Sequence, residues 1–276
     1  MAANKQLRRA CAAVLLPLVT AAACAGEAST VRSGKHDFRI VTLVEGLQHP
    51  WSVAWLPDGR LLVTERGGRL RMISADFKLD PKPVEGLPKI VVGGQGGLFD
   101  VVLHPDYKSN GWIYISYSGP GDGGHGTELM RAKLDGHRLT DSQVLFRLEP
   151  KSGTGHHFGG RIAFDRKGHV FLTLGDRGSQ NRAQRLDDHA GSLIRLNEDG
   201  SVPKDNPFVN RSGARPEIYT YGNRNMQGAA LHPNTGELWT HEHGPQGGDE
   251  VNVMRAGRNY GWPVVTYGVS YGSGTK

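Results

Sequence analysis

The feature that most constrains this chain is a recurring unit of strand, tight turn and strand. Ser52-Val53-Ala54-Trp55 leads through Pro57-Asp58-Gly59 to Leu61-Leu62-Val63-Thr64, and Asp100-Val101-Val102-Leu103 through His104-Pro105-Asp106 to Trp112-Ile113-Tyr114-Ile115. Arg161-Ile162-Ala163-Phe164 runs through Asp165 to Gly168 into Val170-Phe171-Leu172-Thr173, and Gly228-Ala229-Ala230-Leu231 through His232-Pro233-Asn234 into Leu238-Trp239-Thr240. Weaker strands trail these units, as at Arg69-Leu70-Arg71-Met72 and Leu193-Ile194-Arg195-Leu196. The turn glycines Gly59, Gly111, Gly168 and Gly236 stand 52, 57 and 68 residues apart. Four-stranded propeller blades repeat every ~40–50 residues, and added loops lengthen the period. The expected fold is therefore all-β, a β-propeller of four-stranded blades with about four blades in the chain. Gly-rich inserts at 93–97, 119–126 and 153–160 are expected to gather at one mouth of the channel. Blades this elaborate belong to rings of six or more, so the propeller read over 39–276 is expected to be C-terminally incomplete.

Composition agrees with many short strands. Glycine, at 39 residues, is the outlier, prolines add 15, and hydrophobic residues make up only 37%. Beyond the N-terminus no apolar run is long enough for a membrane helix. Aromatic and β-branched residues spread along the chain argue against disorder. Residues 1–25 read as a signal peptide, with Lys5, Arg8 and Arg9 ahead of the apolar run Ala10 to Ala23. Two processing readings stay open: cleavage after Ala23-Cys24-Ala25, or a lipoprotein box that acylates Cys24. Either predicts export to the periplasm, with membrane contact only through a lipid anchor at Cys24. Residues 26–38 read as a polar linker. Removing Lys5, Arg8 and Arg9 lowers the net charge from +6 to +3. No Lys/Arg run remains in the body, which argues against nucleic acid as a partner. The only cysteines are Cys11 and Cys24, so the mature protein has no intramolecular disulfide.

Chemistry concentrates in two stretches. In Lys151-Ser152-Gly153-Thr154-Gly155-His156-His157-Phe158-Gly159-Gly160-Arg161, glycines flank a histidine placed to act as a base just before an inner strand. Gln95, inside Gly93-Gly94-Gln95-Gly96-Gly97, enters the same mouth from the preceding blade. Between Arg215 and Pro263, Arg224 and Asn225 offer donors in a loop, followed by Gly244-Pro245, Asp249, Glu250 and a turn through Tyr260. A guanidinium, oxygen ligands and free carbonyls suit an anion held beside a hard cation such as calcium. His241 and His243 share one strand face, but with no third ligand they are a weak zinc pair.

Four motifs carry a specific resemblance: His157-Phe158-Gly159-Gly160-Arg161, Tyr221 through Gly228 (YGNRNMQG), Glu242 through Glu250 (EHGPQGGDE), and Asn259-Tyr260-Gly261-Trp262-Pro263. With Gly94 to Asp100 and Gly175-Asp176-Arg177-Gly178, they run in order from about His49 to Tyr271. The chain resembles the soluble quinoprotein glucose/sorbosone dehydrogenases, and within them the periplasmic aldose sugar dehydrogenases. The resemblance implies a six-bladed propeller that binds pyrroloquinoline quinone (PQQ) and calcium. It implies His157 as general base, and Gln95, Arg224 and Asn225 at the quinone, joined by Tyr271. It implies the carbonyls of Gly244 and Pro245 as ligands of the quinone's calcium, and Glu250, Tyr260 and Asp249 at a second, structural calcium. Asn223 and Met226 depart from the family pattern, in which many relatives have His or Ile and then Pro. The implied reaction is oxidation of an aldose at C1 to a lactone, with electrons passed to an external acceptor. Two alternatives stay open: a calcium-dependent lactonase on a propeller, and a propeller that only binds.

Overall fold

Residues 30–275 are described by a computed structural model, and nearly all their regular structure is antiparallel sheet. The signal segment, with Lys5, Arg8, Arg9, Cys11 and Cys24, lies outside the described residues. Within the stretch read as a linker, β1 (Thr30–Val31) and β2 (Phe38–Arg39) pair as a two-residue ladder. The segment ending at Leu43 is a unit of its own, and the main body begins at Val44.

The body carries four sheets in chain order. The first holds β3 (Pro50–Trp55), β4 (Leu61–Glu65) and β5 (Arg69–Ile73). The second holds β6 (Leu98–Leu103), β7 (Trp112–Gly121), β8 (Gly124–Asp135) and β9 (Arg138–Arg147). The third holds β10 (Gly159–Phe164), β11 (His169–Leu174), β12 (Leu193–Asn197) and β13 (Ile218–Thr220). The fourth holds β14 (Met226–Leu231), β15 (Leu238–Glu242) and β16 (Glu250–Val253). The turns behave as read: Gly59 takes φ 88° and donates to the Leu56 carbonyl at 3.0 Å.

Two details depart from the simplest pattern. Four-stranded blades appear only in the middle pair of sheets. In the first, the segment after β5 meets its own sheet only through the isolated bridges Ile73–Leu79 and Leu70–Val84, and Glu85 bridges Arg138 of the second sheet. Pro81 and Pro83 interrupt it, and a proline has no N–H for a ladder. In the fourth, the chain leaves β16 and crosses to the third sheet, where Tyr221 bridges Asn259 in parallel. The insert at 119–126 does meet the 153–160 insert, where His125 bridges Ser152 and stacks on Phe158, but it is not an irregular loop. It is the paired end of the β7–β8 hairpin, with Gly119 opposite Gly126 and Pro120 opposite His125. The turn closes at Asp122-Gly123, where Gly123 has φ 78°, a residue pair suited to a tight hairpin.

Alternation along the strands places one core between each pair of neighbouring sheets. Leu62, Leu70 and Met72 meet Leu98, Val101 and Ile115. Tyr114, Leu129 and Phe146 meet Ile162, Leu172 and Ile194. Ala163, Phe171 and Leu193 meet Met226, Leu238 and Met254. Fully burying one such aliphatic side chain is worth ~1.5–3 kcal/mol, so each core binds its two sheets firmly. This face-to-face packing places the sheet ends, and the loops they carry, around one opening.

Candidate active site

The loop that enters β10 is held in an unusual shape. His157 has φ 51°, a left-handed conformation that non-glycine residues adopt only when their surroundings impose it. Three contacts impose it here. The His157 N–H donates to Gln95 Oε1 at 2.8 Å. Arg177, fully buried, donates from its guanidinium to the carbonyls of Thr154 and His156. The same guanidinium lies 3.5 Å from the Phe158 ring centroid, and burial lowers its pKa to about 10. The 93–97 and 153–160 inserts do meet: the Gln95 N–H donates to the Gly155 carbonyl at 2.8 Å. A Cβ on Gly94 would fall 2.5 Å from that carbonyl, so only glycine fits.

The His157 ring faces a carboxylate. Its Nδ1 lies 2.6 Å from Asp176 Oδ1, and the Asp176 side chain is fully buried. The Trp262 indole N–H donates to Asp176 Oδ2 at 2.7 Å, and the Gly178 N–H donates to Oδ1 at 2.7 Å. A carboxylate held this way fixes the imidazole proton on Nδ1 and leaves Nε2 as an acceptor. Nε2 has no hydrogen-bond partner among the described residues. Asp176 and Arg177 were missed as site residues by reading the sequence. Their Gly-Asp-Arg-Gly motif was visible, but only the fold brings it to a histidine 19 positions earlier.

Arg224 and Asn225 sit where the chain passes from β13 to β14. The Asp176 N–H donates to the Arg224 carbonyl at 2.8 Å, which ties this loop to the histidine loop. Asn225 Oδ1 accepts from the Gly159 N–H at 3.2 Å and from Gln227 Nε2 at 3.0 Å. Its Nδ2 is left without a partner among the described residues. Asn223, which departs from the family pattern, is fully buried and donates to Glu242 Oε1 at 2.7 Å. Glu242 Oε2 accepts the Arg224 N–H. The loop is thus pinned from beneath by a carboxylate, and Met226 packs into the third core. Burial pushes the Glu242 carboxyl up to about 7. His241, on the other face of β15 from Glu242, and His243, just past the strand's end, are both exposed. Among the described residues no group of three or more His, Cys, Asp and Glu side chains gathers in a metal cage.

Most of the sequence-derived residues converge. Gln95, His156, His157, Arg224, Asn225, His243, Gly244, Pro245, Asp249 and Tyr271 line one cavity of ≈ 490 Å³. Asp249 accepts the Gly244 N–H at 3.0 Å, and that bond holds its carboxyl below the usual range. Glu250 lines a separate small cavity with Arg224, Glu242, Gly244 and Thr266. Tyr260 lines neither: its hydroxyl donates to the Val253 carbonyl at 2.7 Å and accepts the Arg255 N–H at 2.9 Å, so only its main chain is free to ligate.

The donor set answers what such a cavity can hold. A guanidinium, an amide N–H₂ and a glutamine amide converge on space large enough for a planar polyanion. The Gly244 and Pro245 carbonyls and the Asp249 carboxylate on the same wall are hard oxygen donors, which fit calcium and not zinc. A family model described as glucose/sorbosone dehydrogenase matches residues 47–276. The aldose sugar dehydrogenase YliI of Escherichia coli is 47% identical over 241 residues, which are 86% of this chain and 64% of that protein. The chain therefore spans less than two thirds of that relative's length. Among solved structures, the apo-form of the soluble Escherichia coli aldose sugar dehydrogenase matches with a TM-score of 0.81 at 46% identity, covering 83% of this chain and 67% of that one. The PQQ-bound form of an aldose sugar dehydrogenase from Streptomyces coelicolor matches with a TM-score of 0.71 at 31% identity, covering 85% and 68%.

Proposed function

This chain belongs to the glucose/sorbosone dehydrogenase family, and on that premise we propose that it acts in the oxidation of aldose sugars at C1 to lactones, with PQQ and calcium as cofactors and electrons passed on to an external acceptor. One observation carries the reading: a single cavity gathers His157, its Nδ1 fixed by buried Asp176, with Gln95, Arg224, Asn225 and the Gly244-Pro245 carbonyls.

His157 Nε2 is the base. It takes the proton of the sugar's C1 hydroxyl, while Asp176 stabilises the imidazolium that forms and keeps the ring in place. Arg224 and Asn225 Nδ2 would hold the quinone's anionic and carbonyl oxygens. Gln95 orients His157 through its Oε1 and presents its amide N–H₂ to the cavity. The Gly244 and Pro245 carbonyls would hold the cation beside the quinone. Glu250, on the small cavity beside Arg224 and Gly244, would hold a second calcium; Asp249 and Tyr260, which lie outside that cavity, are joined to it by the family resemblance alone. Bound there, the quinone supplies a two-electron acceptor for the C1 hydride and calcium a Lewis acid that polarises it. Export is read from the N-terminal segment alone. The test is a titration with PQQ and calcium, followed by an aldose: the bound chromophore should change its absorption on sugar addition. A protein that binds PQQ but leaves the spectrum unchanged with every aldose would reject the proposal.

A further inference from the structure

The Gly244 carbonyl, assigned in the proposed function to calcium, already carries a cation. Arg224 Nη1 lies 2.7 Å from the Gly244 oxygen and 3.0 Å from that of His243. The guanidinium carbon stands 5.3 Å from the Trp262 ring centroid. Arg224 Nε is buried and has no hydrogen-bond partner, so the charged head is satisfied chiefly by these two carbonyls. Its main-chain N–H is anchored on Glu242, so the loop cannot carry the arginine away. Only the side chain can swing.

A divalent ion on the Gly244 oxygen would lie close to this guanidinium. At such separations like charges repel strongly even in a well-screened protein environment. An anionic ligand in the cavity, which Arg224 also lines, gives the guanidinium another partner and lifts the conflict. We propose that Arg224 competes with calcium for the Gly244 carbonyl in the quinone-free protein, holding calcium affinity low until an anionic ligand engages the arginine. The proposal rests on the calcium reading of the proposed function. Arg224 then has opposite effects on the two ligands: it aids the anion and opposes the cation. By linkage it also couples them, so each tightens the other.

Calorimetric titration with calcium chloride, without quinone, tests this on the wild-type protein and on Arg224→Gln, Arg224→Met and Arg224→Lys. The neutral variants should bind calcium at least about tenfold more tightly at one site, within the usual range of coupling between sites. Arg224→Lys, which keeps the charge, should stay within about threefold of wild type. The same titrations in a Glu250→Gln background assign the change to the Gly244 site. At saturating PQQ calcium affinity should rise in every form, because the quinone lies beside the ion, but at least about threefold more in wild type than in the neutral variants, the excess being the competition that PQQ relieves. Unchanged or weaker calcium binding by folded neutral variants, or an equal PQQ effect in all forms, overturns the competition. Absence of calcium binding in every form, wild type included, instead overturns the calcium reading itself.

Discussion

His157 is positioned by three partners that do different work, and substitutions should separate them. His157→Ala removes the base and leaves Arg224, Asn225 and the carbonyls in place. Turnover should fall by at least ~10²-fold, on the scale of general-base catalysis, with PQQ binding kept. Near-normal turnover would move the base elsewhere, with His156, on the same cavity wall, the first candidate. Asp176→Asn keeps the shape but can donate to Nδ1, which turns the acceptor nitrogen away from the cavity. It should lower kcat by ~10–10³-fold and change KM little, the pattern of a group that acts at the transition state; a KM effect alone would make Asp176 a mere packing residue. At this scale the cavity wall was legible in the sequence, since His157, Gln95, Arg224, Asn225, Gly244 and Pro245 all sat in recognisable motifs. Asp176 and Arg177 carried no signal of their role. A buried carboxylate and a buried guanidinium look like turn residues until the fold supplies their partners.

Among the elements, the β7–β8 hairpin bears most directly on the site. Lys151, in the loop that leads to His157, reaches back to the hairpin. Its Nζ donates to the Pro120 carbonyl at 2.9 Å, the Gly119 carbonyl at 3.1 Å and Glu128 Oε1. The two charged side chains are 1% and 5% exposed, and Tyr117 donates its hydroxyl to Glu128 Oε2 at 2.8 Å. Lys151→Met leaves buried Glu128 only the Tyr117 hydroxyl and a longer, 3.7 Å contact to half-exposed Arg147, which should lower stability by up to about 3–5 kcal/mol. Adding Glu128→Gln should recover more than half of that loss in a denaturant melt. No recovery would mean that the carbonyl contacts, not the ion pair, hold the loop. The strand–turn–strand units were legible because alternating apolar residues and Pro-Asp-Gly type turns fix them locally. The lack of a fourth strand in the first sheet and the 119–126 hairpin were not. Each depends on pairing partners, and Gly-rich sequence reads alike as loop or as strand end.

At the scale of the whole molecule, neighbouring sheets share cores. Leu62 and Leu238, in the first and last sheets of the body, are both buried against the neighbouring sheet. Trp55 and Trp239 are instead the exposed residues, at 57% and 39%. Calcium is expected to add to this packing through Asp249 and Glu250 in the last sheet. A chelator should lower the melting temperature and calcium, but not zinc, should restore it, since binding to the folded state alone raises stability. An unchanged melt in chelator would remove the structural calcium from the account. The central claim is that one cavity holds a quinone and a base that act together on a sugar. Its most direct test is the absorption spectrum of the protein loaded with PQQ and calcium, recorded before and after an aldose is added, in wild type and His157→Ala. A rapid spectral change is expected in the wild type and one slowed at least ~10²-fold in the variant; equal rates in both, or a bound quinone that no aldose alters, would show that His157 and the quinone do not act together.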